Sequence, residues 1–287
     1  MTRAKVRPAI AADIETVCRL LHEQMNRRLL PERWRRITTY GWLQDKPDFG
    51  RVADDGGRIV GFVGSVYADR EIAGRRERVV SMSSWYLDKA YRGQGLGFEL
   101  MGSATADDSA TYTMITVSPR NLAMLPKLGY RILDHDRHVW SASGRPVAGL
   151  DIEQDVGRIL ERIDASQQLM LRDHAGLPVR PVLISTRDGS CLAVFSVKMK
   201  GEDVTYFDAL HLSDPCFFAA HAQSIAYSLL PPGKAVLAVD RRLLAGHKAD
   251  GAVEPIPVAR YYKSQRLAPS EVDNMYSELL LLDLKLD

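Results

Sequence analysis

Residues 91–97 read YRGQGLG, with glycine at every second position from 93 to 97. An apolar run ends just before this stretch, and the apolar residues of 96–104 that follow keep helical spacing, so a strand turns directly into a helix here. The first amides of a helix are unpaired and carry partial positive charge. Because glycine has no Cβ, an anion can reach that main chain. The pattern predicts a phosphate site, to which Arg92 would add a charge-assisted contact.

Two common phosphate-binding patterns do not fit this stretch. No Lys-Ser or Lys-Thr pair follows the glycines, and position 98 is Phe98 where a dinucleotide fingerprint needs its third glycine. The preceding strands, expected over 51–53, 58–67 and 78–87, form an antiparallel meander and do not open a parallel βαβ unit. The loop therefore serves a different class of phosphate ligand.

The rest of the N-terminal half alternates helices and strands. Apolar spacing predicts a strand over 5–7, helices over 13–25 and after Pro31, a β-rich stretch over 112–118, a short helix over 121–128 ended by Gly129, and a strand over 130–140. Residues 141–146 then form a polar linker containing glycine and proline.

These residues resemble the GNAT superfamily of acyl-CoA-dependent acyltransferases. RGQGLG, residues 92–97, matches the superfamily signature R/Q-x-x-G-x-G/A, RPAIAADIETVCRLL resembles its opening strand and helix, and NLAMLPKLGYRIL resembles its later segment. The resemblance covers about residues 4–141. It implies an α/β fold of the α+β type, a mixed and mostly antiparallel sheet flanked by helices.

The resemblance also implies acetyl-CoA as co-substrate. The loop amides would hold the pyrophosphate of coenzyme A, the main chain of the strand end would pair with the pantetheine arm, and the head of the later helix would meet the thiol end. The residues implied are Leu87, Arg92, Gly93, Gln94, Gly95, Leu96, Gly97 and Asn121.

The catalytic groups are harder to place. An aliphatic amine with a pKa of about 10.4 is mostly charged near pH 7, so a base is valuable. Relatives often carry a carboxylate on the strand before the glycine loop, but here that place falls at Ser81 and Ser83. Ser83 is the candidate catalytic residue, passing the proton to water, with a role in lining the pocket as the alternative. Leu125 stands where relatives often have a tyrosine acid, and main-chain amides at a strand kink could hold the oxyanion.

The second half repeats the order of elements without sequence identity. Strands are expected over 181–187, 191–198, 204–212 and 234–239, helices over 152–163 and 215–230, and a closing strand over 278–286. Its strand-to-helix joint, residues 211–223, lacks glycine and offers Asp214 and Pro215 as cap and first turn. Two domains follow, an acetyl-CoA-binding domain at 1–143 and a degenerate GNAT-like domain at 150–287 that binds no coenzyme A. It would complete the sheet, shape the acceptor pocket or mediate self-association.

Composition limits the setting and the partners. Three cysteines without CxxC spacing argue against a disulfide framework and a zinc site. His135 and His138 would face opposite sides of a strand, so no metal is expected. A net charge of +2 gives no support for a nucleic-acid partner. The start lacks a signal peptide and no apolar run spans a bilayer, which predicts a cytoplasmic protein without membrane contact. A homodimer stays open.

The sequence thus predicts an acetyl-CoA-dependent N-acyltransferase whose acceptor is an amine of a small molecule. Transfer of a longer acyl or an aminoacyl group is an alternative within the same fold. A non-catalytic acyl-CoA sensor or assembly module is a second alternative, because the usual carboxylate and tyrosine are missing.

Overall fold

A computed structural model describes residues 4–143 and 149–286 of the chain. The predicted linker lies partly outside these residues, at 144–146. The chain forms two compact units. Unit 1 comprises Met1–Arg131, Arg260–Leu267 and Tyr276–Leu284, and unit 2 comprises Ile132–Ala259, Ala268–Met275 and Lys285–Asp287. Two C-terminal segments therefore group with the N-terminal unit.

Unit 1 is built on a meander of antiparallel strands. Its elements in chain order are β1 (Lys5–Pro8), α1 (Ile14–Gln24), α2 (Pro31–Thr39), β2 (Gly50–Asp55), β3 (Arg58–Ile72), β4 (Arg75–Leu87), α3 (Leu96–Ala104) and β5 (Thr111–Met114). Strands β1 to β4 pair antiparallel in sequence order, and β5 pairs parallel to β4. Residues 261–263 pair antiparallel to β5.

The first two helices of unit 1, α1 and α2, form where the apolar spacing predicts them. Ile14, Val17, Cys18 and Leu21 are the buried face of α1, at the three- and four-residue spacing of a helix. Pro31 occupies the first turn of α2, where its missing amide hydrogen is not needed, and Trp34 is buried. Burial of these faces fixes the helices against the sheet.

Unit 2 repeats this order of elements. After β6 (Arg131–Ser141), of which Arg131 belongs to unit 1, the repeated elements are β7 (Asp151–Glu153), α4 (Val156–Leu160), α5 (Ala165–Asp173), β8 (Arg180–Thr186), β9 (Gly189–Lys200), β10 (Val204–Leu212), α6 (Pro215–Leu229), β11 (Ala235–Asp240) and β12 (Ala252–Lys263), whose residues 260–263 belong to unit 1. Strands β7 to β10 pair antiparallel, β11 pairs parallel to β10, and β6 pairs antiparallel to β11.

A sheet face and the helix α6 enclose the core of unit 2. Phe195 and Phe207 stack edge to face with ring centroids 6.4 Å apart, and Phe218 of α6 is fully buried in the same cluster. The predicted strands and the helix over 215–230 are confirmed here. The fold class predicted from sequence, a mixed and mostly antiparallel sheet flanked by helices, is therefore correct.

Three local predictions are wrong, and two elements were not predicted. The closing strand over 278–286 is instead a short helix, α7 (Glu278–Leu281), and the helix over 121–128 is two 3₁₀ turns, Pro119–Met124 and Pro126–Leu128. The helix over 152–163 is β7 followed by α4, and the sequence reading missed both α5 and β12. Short apolar runs do not distinguish a strand from a buried helix, and the proline at 126 divides the second segment.

None of the helices in the described ranges has the length and hydropathy needed to cross a bilayer.

Candidate active site

An opening in unit 1 forms where β4 and β5 part. The two strands pair only over residues 79–81 and 111–113, while β4 continues to Leu87. Beyond Ser81, β4 therefore pairs with β3 along one edge, while its other edge does not pair with β5. Main-chain groups along such an edge are available to a ligand.

A bulge in β4 shapes this edge. Phe62 pairs with Tyr86 and Gly64 with Ser83, so two residues of β4, Ser84 and Trp85, oppose one residue of β3. Ser84 has φ of +56°, a left-handed conformation that is uncommon for residues other than glycine. A bulge re-aims side chains and interrupts the ladder of hydrogen bonds. The strand kink expected from sequence is present at the opening.

The glycine loop adopts backbone conformations that strongly favour glycine. Gly93 and Gly95 have φ of +79° and +81°, and Gly95 is the N-terminal cap of α3. A Cβ on either residue would meet no atom within 4 Å. The space before the helix N-terminus is therefore open, as an anion site requires.

Arg92 ties the loop to the strand that precedes it. Its Nε donates a hydrogen bond of 2.8 Å to the carbonyl oxygen of Leu87, and its guanidinium lies 5.8 Å from the centre of the Tyr86 ring. These contacts place a positive charge beside the loop amides.

A cavity of about 680 Å³, the loop cavity, lies along this edge. Six of the eight predicted cofactor residues line it, together with neighbours from α1, β4 and the 119–124 turn. The lining residues are Gln24, Met25, Trp85, Tyr86, Leu87, Arg92, Gly93, Gly95, Gly97, Phe98, Ser118, Arg120, Asn121 and Met124.

The other two predicted residues lie elsewhere. The side chain of Leu96 is buried in the core of unit 1. Gln94 is exposed and donates from Nε2 to the carbonyl oxygen of Ala90 at 3.2 Å. Leu96 and Gln94 can therefore contact a cofactor in this cavity only through their main-chain atoms.

A second, smaller cavity of about 80 Å³, the carboxylate cavity, adjoins the first. It is lined by Met25, Trp34, Met82, Ser83, Ser84, Trp85, Met114, Thr116, Ser118, Asn121, Glu278, Leu282 and Leu284. Met25, Trp85, Ser118 and Asn121 line both cavities. These four residues mark the junction between them.

Glu278 places a carboxylate beside Ser81, in the region of β4 where relatives often carry an acid and this sequence has serines. It is 1% exposed and accepts hydrogen bonds from the hydroxyl groups of Ser81 and, at 2.8 Å, Thr116. Burial raises the pKa of this carboxyl above its ordinary value, and the two hydroxyl donors offset part of that effect.

The sequence reading missed Glu278 because it is almost 200 residues from Ser81. One signal was present, a single acidic residue heading an apolar run in SELLLLDL. Charged residues are rarely buried without a reason.

Ser83, the predicted catalytic residue, is buried and lines the carboxylate cavity. Its Oγ lies 2.8 Å from Ser84 Oγ. Its position suits the alternative of a pocket-lining residue, and its catalytic role stays a prediction. Leu125 is fully buried in the core.

Two phenols near the site have partners of their own. Tyr86 donates to Asp88 Oδ1 at 2.9 Å, and burial raises its pKa to about 12. The buried hydroxyl of Tyr130 donates to Met101 Sδ at 3.9 Å, and burial raises its pKa further. Both phenols therefore hold their protons near neutral pH.

Within the described part of the chain, no group of three or more His, Cys, Asp or Glu residues is placed to hold a metal ion.

Comparisons with known proteins agree with this geometry. Residues 14–130 match the sequence model of the Acetyltransferase (GNAT) family. A GCN5-related N-acetyltransferase from Anabaena variabilis superimposes with a TM-score of 0.56 at 13% identity, covering 91% of this chain and 72% of that one. Another from Kribbella flavida gives 0.54 at 12% identity, covering 90% and 71%.

Comparison with curated protein sequences finds no significant match. At such low identities the structural similarity establishes the fold, and the family assignment depends on the sequence match over the β-meander, the glycine loop and the 119–130 segment. Residues 14–130 of this chain therefore belong to the GNAT family of acetyltransferases.

Proposed function

We propose that unit 1 transfers an acetyl group from acetyl-CoA to the amine of a small molecule. The observation that carries the proposal is the loop cavity, which joins the open helix N-terminus at Gly95 to the unpaired edge of β4. The loop amides and Arg92 would bind the pyrophosphate of coenzyme A, and the main chain toward Leu87 would pair with the pantetheine arm.

The thioester would then lie at the junction of the two cavities. The bulge at Ser84 and Trp85 interrupts the ladder there, so a main-chain amide is available for the oxyanion of the tetrahedral intermediate. Asn121, at the head of the later helical turn, is within the same junction.

The size of the carboxylate cavity favours a short acyl group over the longer acyl or aminoacyl alternative. Its volume of about 80 Å³ is far smaller than the volume of about 680 Å³ of the loop cavity. A long acyl chain and the head of an amine would not fit there together.

Calorimetric titration with acetyl-CoA tests the binding half of the proposal. We expect one acetyl-CoA per chain, because the corresponding joint of unit 2 has Asp214 as a cap in place of glycine. Two equivalent sites, or no binding, would contradict it.

Release of free thiol on adding primary amines tests the transfer half. Cys216 is an exposed thiol, so protein with acetyl-CoA and no amine is the necessary blank. Tight acetyl-CoA binding without amine-dependent thiol release across a panel of amines would favour the acyl-CoA sensor.

A further inference from the structure

Glu278 stands out among the buried acids of unit 1 because none of the cations in the described ranges is paired with it. Its partners are the hydroxyl groups of Ser81 on β4 and Thr116 beyond β5, and its own amide lies 3.5 Å from Ser81 Oγ. The buried Glu77, by contrast, accepts two hydrogen bonds from Arg266, at 2.6 and 2.8 Å. A buried acid held only by neutral donors is costly for stability and is typical of a functional site.

The surroundings of Glu278 are neutral on each side. From β4 it faces Ser81 and Ser83, from the segment after β5 Thr116 and Ser118, from α2 Trp34, and from its own segment Leu282 and Leu284; none of these ionises near neutral pH. The charged groups flanking this region, Arg33 of α2 and Asp283, pair with each other at 3.5 Å. The carboxyl group of Glu278 is thus the ionisable group of the carboxylate cavity.

The carboxylate cavity meets the loop cavity where the thioester would lie. Because Met25, Trp85, Ser118 and Asn121 line both, a group seated beside Glu278 is next to the reacting carbonyl carbon. The cofactor would approach from the glycine loop, which leaves the opposite side of the junction for the second substrate.

We propose that the carboxylate cavity is the acceptor site and that Glu278 takes the proton from the acceptor's ammonium group. This inference rests on the proposed function. Neither Ser81 nor Thr116 acts on the substrate in this scheme, and both are positioning residues that orient the carboxylate.

The proton and electron balance is complete without another reactant. The ammonium gives one proton to the Glu278 carboxylate, and the nitrogen lone pair attacks the thioester carbon. The C–N bond forms, the C–S bond breaks, and the electron pair of that bond leaves with the thiolate. The second proton of the nitrogen passes to the thiolate or to solvent, and Glu278 returns its proton to solvent.

The lining indicates the class of acceptor. Seven of the side chains around Glu278 are apolar, namely Met25, Trp34, Met82, Trp85, Met114, Leu282 and Leu284. Burying a second charge among them would be unfavourable. The acceptor is therefore a primary amine whose carbons next to the nitrogen carry no anionic group.

The decisive variant is Glu278→Gln, with Asp283→Asn as the matched control. Glutamine keeps the shape and can still bond both hydroxyl groups, so we expect folded protein. Asp283 is on the same segment, has φ of +53°, which asparagine tolerates, and does not line the cavity.

For Glu278→Gln we expect kcat to fall by about 10²–10⁴-fold with an acetyl-CoA Kd within about twofold of wild type. The acidic limb of the kcat–pH profile should vanish in this variant. Asp283→Asn should keep kcat within about twofold. A wild-type kcat and pH profile in folded Glu278→Gln would overturn the proposal.

Ser81→Ala provides an independent test should Glu278→Gln fold poorly. Removing a hydrogen bond donated to the charged carboxylate raises its pKa, so the acidic limb should move to higher pH. A purely structural role for Glu278 would change the melting temperature and leave this limb in place, and that result would count against the proposal.

Two matched pairs of amines, whose members differ only in a carboxylate on the carbon next to the nitrogen, test the acceptor class: ethylamine with alanine, and n-propylamine with 2-aminobutanoate. We expect the uncharged member of each pair to have the higher kcat/KM by about tenfold or more. Preference for the carboxylates would overturn the acceptor class. Failure to bind acetyl-CoA would instead overturn the proposed function, so the two failures are distinguishable.

Discussion

The two units share a topology but differ at the joint where a strand turns into a helix. In unit 1 the strands β1 to β4 form a meander and α3 leads to a parallel β5; in unit 2 the strands β7 to β10 do the same and α6 leads to a parallel β11. Each last meander strand also has a register shift, between Ser83 and Tyr86 in β4 and between Ala209 and His211 in β10. The same framework thus occurs twice.

The caps of the two crossover helices differ. Gly95 begins α3 with no side chain, and the space before it is open. Asp214 begins α6, and its carboxylate accepts from the amide of Phe217 at 2.9 Å. A carboxylate on the helix amides occupies the place where a phosphate would bind and repels it.

The C-terminal segments also differ in how they contact the last meander strand of each unit, β10 for residues 268–275 and β4 for residues 276–284. In unit 2 the amide of Asn274 donates to the carbonyl oxygen of Leu210 at 2.8 Å, and Asp273 lies 2.7 Å from Nδ1 of His211. In unit 1, residues 276–284 leave cavities along β4 and supply Glu278. We infer that this topology can bind a cofactor only where the strand edge and the helix amides are left accessible.

The largest expected loss of stability comes from the hydrogen bonds between Arg242 and residues 268–275 of unit 2. Arg242 is buried and donates to Asp134, to Asp240 Oδ2 at 2.9 Å, to the carbonyl oxygen of Val272 at 2.8 Å and to Asn274 Oδ1 at 2.6 Å. Arg242→Met removes the guanidinium group that the buried carboxylates of Asp134 and Asp240 share, so we expect a loss of about 3–5 kcal/mol in urea unfolding.

Arg241→Met is the control for that variant. Arg241 is exposed and pairs with Asp136 at 3.2 Å, a contact expected to contribute about 0–1 kcal/mol. Equal effects of the two substitutions would mean that the buried cluster does not hold this segment.

The pH dependence of unfolding tests whether the burial of Glu278 lowers the stability of the native state. Its folded pKa is raised above the ordinary value of 4.5, so between these two values the native state holds a proton that the unfolded chain releases. Wild-type stability should therefore fall as pH rises through that window, by up to about 1.4 kcal/mol per pH unit.

Glu278→Gln has no such proton, so its stability should exceed that of wild type above the folded pKa of Glu278 and approach it near pH 4.5. Urea unfolding of both proteins from about pH 4.5 to about pH 8 measures the difference. Parallel curves across the range would contradict a raised pKa.

The smallest effects are expected from substitutions of Gly95 and Asp214, the N-terminal caps of α3 and α6. Gly95→Val forces a β-branched residue into φ of +81° and puts a side chain before the loop amides, so acetyl-CoA affinity should fall by about tenfold or more in calorimetry. Gly74→Val has a similar φ of +73° and open space in the β3–β4 turn, and it should leave affinity unchanged.

Asp214→Ala completes this comparison in unit 2. Loss of the cap should destabilise the protein by about 1 kcal/mol without changing acetyl-CoA affinity. Weaker binding in Asp214→Ala, or unchanged binding in folded Gly95→Val, would contradict the assignment of the anion site to unit 1.

Local sequence patterns predicted much of the fold. The spacing of Ile14, Val17, Cys18 and Leu21 predicted α1, and turn residues predicted the hairpins of both meanders. These features depend on contacts between near neighbours in sequence, which periodicity reports directly. The same reasoning failed for residues 278–281, because four consecutive leucines have no period.

The candidate site was predictable only in part, for the same physical reason. The glycine loop is a local conformational requirement, since Gly93 and Gly95 need positive φ, and so it is visible in seven residues of sequence. The bulge at Ser84 depends on pairing with β3, and the two cavities depend on where β4 and β5 part. Neither follows from any short stretch of chain.

By itself, the sequence determined most of the strands and helices of both units and the glycine-rich turn at 91–97, for which it predicts phosphate binding. Only the tertiary structure decided that the C-terminal segment returns to unit 1 and places Glu278 against Ser81 and Thr116. Backbone conformation and amphipathic periodicity are local properties, whereas the environment of a carboxyl group is set by whichever distant segments pack around it.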